Sequence, residues 1–285
     1  MCCIGQLIGF AQTKKNVQGP KPVQPAVNAV PKAKPVQQAK PVQQAKSVQA
    51  KTELPVAATP VPQAKDPVLV EGTLTVPTSG NINIGLVLVT GITGDYPNTW
   101  RISHLWLKNL TEALNQMGIT VFRYAPNSQV DPVAEAMAAL SYLKSRQDLN
   151  LSKVGLLGHA QGGETIAIVA ARTIKADFLI SLAGVATGEK VEKYIPKIRV
   201  PVLAISGNKD FVLPAAPNLK NWKDLSQIGG NRKVRTAEFI GLNHYLSYCY
   251  SCGPQEYAER KQQLAPDVLR EISRWLKQEI IGKNK

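Results

Sequence analysis

The period of the apolar positions changes repeatedly between residues 66 and 281. Pro67 to Val76 alternates and is rich in β-branched residues, so it reads as a strand. Ile84 to Val89 is a continuous apolar run, the mark of a strand buried on both faces. Leu105, Trp106, Leu107, Leu110, Leu114 and Met117 fall on one helical face, closed by Gly118. Ile119 to Tyr124 predicts the next strand, and Asp131 to Lys144 a helix whose first turn tolerates Pro132. Strands follow at Val154–Leu157, Phe178–Leu182, Val200–Ile205 and Val234–Ile240. Helices are predicted at Glu164–Ala171, Leu219–Ile228 and Asp267–Ile281, the last with Val268, Ile272, Trp275, Leu276 and Ile280 on one face. This alternation predicts an α/β domain: a mostly parallel sheet covered by helices on both sides. Ligands in such sheets sit at the carboxyl ends of the strands.

Composition divides the chain at about residue 65. The 285 residues are 44% hydrophobic, enough for a core, and the net charge is +14. Residues 1–65 hold nine Lys, no Arg and one acid, and so carry more than half of that excess. Lys34-Pro35-Val36-Gln37-Gln38-Ala39 recurs in degenerate form from Lys40 and Lys46. A repeat this short has no face to bury, and its prolines remove backbone donors. Residues 1–65 are therefore expected to be a disordered, extended spacer whose lysines touch anionic surfaces, if any partner. No Arg or aromatic residue is interleaved for base recognition, so there is no strong nucleic-acid signal. Residues 1–11 resemble the end of an export signal but lack a basic leader. The expected location is exported, periplasmic or cell envelope, with cytoplasm as the alternative. No apolar run approaches the ~18–20 residues of a transmembrane helix.

Gly158-His159-Ala160-Gln161-Gly162-Gly163 lies between a predicted strand and a predicted helix, the setting of a G-x-S-x-G nucleophile elbow. Asp210, in Ser206-Gly207-Asn208-Lys209-Asp210, follows another strand. His244, in Gly241-Leu242-Asn243-His244, follows the last strand. Nucleophile slot, acid and histidine thus appear in the chain order that such a triad uses. Taken singly, Asp210 reads equally well as a turn residue and His244 as a surface-loop histidine. The other histidines do not compete for the base position: His104 opens a helix and His159 precedes the elbow residue. Cys249-Tyr250-Ser251-Cys252 is one C-x₂-C pair, too few ligands for a tetrahedral zinc site. It reads as a local disulfide, with free thiols as the alternative. Tyr245, Tyr248 and Tyr250 beside it either line a groove or pack the loop. No cofactor and no metal site is indicated.

These segments, with Asp177–Gly184, Pro201–Asp210 and Tyr257–Leu276, resemble the α/β-hydrolases, most closely the dienelactone-hydrolase-like and acyl-thioesterase-like branch of bacterial ester hydrolases. The resemblance spans about residues 66–281. It implies that position 160 is the nucleophile slot, Asp210 the orienting acid and His244 the general base. The amide of Gln161 and one near Gly91–Ile92 would form the oxyanion hole. The chain departs from the family at the reactive atom, because Ala160 has no hydroxyl. Loss of that serine costs on the order of 10⁶ in turnover, and Thr165, Cys249 and Cys252 lie in the wrong places to replace it. Thr90 stands where the family has a histidine. The loop after Tyr124 is short, and the cap after Gly184 is cut to about Val185–Lys197.

The expectation is a hydrolase-fold protein inactive as a serine hydrolase, a binding or scaffold pseudoenzyme with a small acyl-type ligand or a protein as partner. The alternative is an ester or thioester hydrolase, either in an inactivated Ser-to-Ala form or one in which Asp210 and His244 activate water.

Overall fold

The most apolar run of the sequence becomes the middle of the sheet. Strand β3 (Ile84–Thr90) is buried along nearly its whole length between β4 (Ile119–Tyr124) and β5 (Lys153–His159), both parallel to it. The computed structural model describes residues 54–56, 68–91, 99–172, 176–259 and 262–282. Within them the sheet has eight strands in the order β1-β2-β4-β3-β5-β6-β7-β8. Strands β6 (Leu179–Leu182), β7 (Val202–Gly207) and β8 (Val234–Phe239) extend the parallel part. Strands β1 (Leu54–Val56) and β2 (Gly72–Thr75) close the other edge antiparallel.

Helices cover both faces. Helices α2 (Pro132–Ser145), α3 (Gln161–Arg172) and α5 (Ala215–Ile228) contribute to one apolar cluster, with Leu140, Ile166 and Trp222 at its centre. Helices α1 (Thr99–Gln116) and α7 (Pro266–Trp275) contribute to the other, through Trp106, Leu110 and Trp275. Local chemistry sets the boundaries. The Asp131 carboxylate accepts the amide of Val133 at 3.1 Å, and Pro132 takes the first turn of α2, where no amide partner is needed. Gly118, at φ 83°, turns the chain from α1 into β4.

The structure corrects several boundaries. Residues 54–56 lie inside the stretch expected to be a spacer, yet they pair as a strand against Gly72–Leu74. The rest of the expected tail, including the export-like residues 1–11, lies outside the described residues. Helix α1 starts at Thr99, so His104 sits within it and does not open it. The last helix changes character at Leu276, where a π-helical turn runs to Ile281. A short helix, α6 (Pro254–Glu259), was not expected from the pattern at all. Between β6 and β7 there is only a four-residue helix, α4 (Glu189–Glu192), and a 3₁₀ turn at Ile195–Lys197, in keeping with a trimmed cap. Among the described residues no helix is long and apolar enough to cross a membrane.

Candidate functional site

A sharp strand-to-helix turn is present, with Ala160 at its apex. Ala160 joins β5 to α3 with φ 52°, in the left-handed region, where a residue with a Cβ is strained by about 1 kcal/mol. Its carbonyl accepts from the amides of Gly163 at 3.0 Å and Val185 at 2.9 Å, which pins the turn from two sides. The flanking glycines have steric reasons. A Cβ on Gly158 would lie 2.5 Å from the carbonyl oxygen of Gly162, and one on Gly162 would lie 2.0 Å from that of Val89. The strand-to-helix turn closes only because neither has a side chain.

The proposed oxyanion residues lie side by side. Thr90 and His159 are register partners at the ends of β3 and β5, so the chain leaves both strands at the same place. A Cβ on Gly91 would lie 2.6 Å from the Cβ of Gln161. Gln161 begins α3, where the first amides of a helix have no partner within it. Ile92 lies outside the described residues.

Asp210 and His244 meet because the ends of β7 and β8 are laced together. The amide of Asn208 donates to the Phe239 carbonyl at 2.9 Å and that of Lys209 to the Leu242 carbonyl at 3.0 Å. The Asn208 side chain accepts the Gly241 amide at 2.8 Å. Asp210 Oδ2 lies 2.8 Å from His244 Nδ1, and Asp210 Oδ1 accepts the amides of Val212 and Leu213 at 2.9 and 2.8 Å. Both residues are buried. With Nδ1–H donated to the carboxylate, the lone pair of the neutral imidazole is on Nε2.

The His244 loop is held by residues that sequence reasoning missed. Asn243 Oδ1 accepts the amides of Tyr245 at 3.0 Å and Ser247 at 3.1 Å. Trp106 Nε1, from α1, donates to the Tyr245 carbonyl at 2.8 Å. His159 Nε2 lies 3.2 Å from the His244 carbonyl, which can only accept, so Nε2 carries the proton. The Tyr257 hydroxyl, from α6, accepts the His244 amide at 3.3 Å, and burial pushes its pKa up to about 12.

His159, passed over in the sequence, thus ties the elbow strand to the histidine loop. Its ring lies 4.3 Å from that of Trp106 and 4.7 Å from that of His244. Burial, and then the neighbouring His244, push its pKa down to about 3, although the carbonyl it binds works in the opposite direction. It is therefore neutral at any ordinary pH. The signal in the sequence was its position, one residue before the elbow at the end of an apolar strand.

Cys249 and Cys252 are joined, S–S 2.07 Å, in the segment that follows His244. Glu256 caps this segment, accepting the amides of Tyr250, Ser251 and Cys252. Tyr245 packs against Trp106, His159 and Tyr257, whereas Tyr248 and Tyr250 are exposed. Thr165 is committed to the Gln161 carbonyl in α3.

Comparison with known proteins bears on the fold. Residues 105–237 match the family described as the dienelactone hydrolase family. A dienelactone hydrolase from Anabaena variabilis is 17% identical, with a TM-score of 0.55 over 79% of this chain and 97% of its own. An esterase from Pyrococcus furiosus is 13% identical, with a TM-score of 0.59 over 81% of this chain and 94% of its own. A Xanthomonas campestris protein described as a member of the α/β serine hydrolases without a lid is 13% identical, with a TM-score of 0.55 over 80% and 96%. No curated protein sequence matches. Residues 105–237 thus match the dienelactone hydrolase family, and the chain has the α/β-hydrolase fold.

Proposed function

We propose that this chain is a non-catalytic member of the esterase-type α/β-hydrolases, a binding module that recognises a small acyl-type ligand or a protein partner. One observation carries the reading: the residue at the apex of the strained elbow is Ala160, whose methyl group cannot attack a carbonyl. A residual oxyanion hole alone gives about 10³–10⁴ over water, far below an esterase. The experiment compares the wild type with Ala160→Ser on short nitrophenyl esters and acyl thioesters. The wild type is expected to show no turnover above a His244→Ala control. Ala160→Ser is expected to gain hydrolysis by at least about 10³, and the 2.8 Å bond between Asp210 and His244 supports that expectation. Wild-type hydrolysis abolished by His244→Ala overturns the reading.

The 2.8 Å bond between Asp210 and His244 favours one second reading, in which the imidazole activates water directly. It requires wild-type turnover on the same esters that falls in Asp210→Asn.

A further inference from the structure

The end of the sheet opposite Asp210 and His244 has a chemistry of its own. Arg172 ends α3, Lys193 and Lys197 lie in the connection between β6 and β7, Arg199 precedes β7, and Arg232 and Lys233 precede β8. All six are exposed. Among the described residues none has a carboxylate partner. Other cations at this end do: Lys144 lies 2.8 Å and Lys153 3.7 Å from Asp177, and Arg146 makes two bonds to Asp148. The helix macrodipole accounts for Arg172, in the last turn of α3, but Arg199, Arg232 and Lys233 lie in loops ahead of strands.

The six form one connected face. Arg172 Nη2 donates to the Tyr194 hydroxyl at 3.1 Å, and the ammonium groups of Lys193 and Lys197 lie 5.7 and 5.2 Å from the Tyr194 ring. Arg199 Nη1 donates to the Pro196 carbonyl at 2.8 Å. A Cβ on Gly229 would lie 1.8 Å from that same carbonyl oxygen, so the end of α5 abuts the 3₁₀ turn. Asn231 Nδ2 then reaches the Val200 carbonyl at 2.9 Å and carries the face on to Arg232 and Lys233. Ile228, at the end of α5, stands 77% exposed beside them.

We propose that this face docks the domain on an anionic lipid surface. Unpaired cations supply the long-range attraction, and the exposed Ile228 side chain supplies an apolar contact at the headgroup boundary. A nucleic acid is the poorer fit. Its bases would stack on an aromatic ring, and the face's tyrosine, Tyr194, already has its ring attended by Arg172, Lys193 and Lys197. Docked by this end, the domain would keep the carboxyl ends of its strands turned away from the bilayer.

The test is co-sedimentation of the full chain with vesicles of phosphatidylcholine alone, or of phosphatidylcholine mixed with phosphatidylglycerol, at low and high salt. Lys197→Glu/Arg232→Glu is compared with Lys108→Glu/Lys209→Glu, which has the same net charge. The basic N-terminal segment is identical in both, and circular dichroism verifies that both fold. Binding is expected only to the anionic vesicles. The first pair is expected to weaken it at least about tenfold more than the second. Ile228→Ser is expected to weaken binding further at high salt, where the charges are screened. Equal loss in the two pairs overturns the proposal, as does loss of duplex DNA binding in the first pair with vesicle binding unchanged.

Discussion

The two halves of the candidate site differ in what holds them. The elbow around Ala160 is set by the main chain: glycines that admit no Cβ, two amides on one carbonyl and a left-handed residue. The Asp210–His244 half is set by buried side chains that reach between elements: Asp210 to the His244 ring, His159 to the His244 carbonyl and Tyr257 to the His244 amide. Neither half needs a serine in order to persist. The elbow is kept because the strand and helix cannot otherwise approach. The pair is kept because a buried polar group without its partner is costly. Each half is therefore held for structural reasons, whatever chemistry the site performs.

Three variants sharpen this contrast. Asp210→Ala strips the acceptor from the His244 ring and from two amides at once. We expect a loss of about 4 kcal/mol of stability, read by denaturant unfolding. A loss under about 1 kcal/mol would mean that the pair is not what holds the loop. Gly162→Ala attacks the main-chain half, forcing a methyl against the Val89 carbonyl, and is expected to cost about 3 kcal/mol in the same assay. Gly162→Ser is expected to be no better, since the clash is made by Cβ itself.

The smallest effect concerns the link between the halves. Folded His159 takes up a proton only near pH 3, whereas in the unfolded chain it does so near pH 6.5. Between these values the unfolded state binds more protons, so stability falls as pH falls through that window and is unaffected above it. From about pH 6 to about pH 4 this amounts to roughly 2 kcal/mol. Replacing the imidazole in His159→Phe should flatten that part of the stability–pH curve. An unchanged slope would separate His159 from the acid response.

The sheet was legible because period is a local property. The runs at Ile84–Val89 and Val154–Leu157 declare themselves within a few residues, and the glycines and strand ends point to positions 160, 210 and 244. The supports of His244 were not legible. The Trp106–Tyr245 bond spans 139 residues and the His159–His244 contact 85, and no local pattern encodes such a meeting. Trp106 reads in the sequence only as one more apolar position on α1. Helix α6 escaped because Gly253-Pro254 reads as a break, although Pro254 is tolerated as the first helical residue. Strand β1 escaped because Leu54-Pro55-Val56 is embedded in a composition that argues against any strand.

That short strand has a consequence for how the protein can be trimmed. Residues 54–56 occupy the outer side of β2, in register with Leu74, Thr73 and Gly72. Cleavage anywhere between residues 57 and 67 would leave the α/β core intact but strip this cover. The row of backbone donors and acceptors so exposed is a template on which another chain can add a strand. The stretch that looks most dispensable by composition is thus also what keeps the sheet from growing into its neighbour.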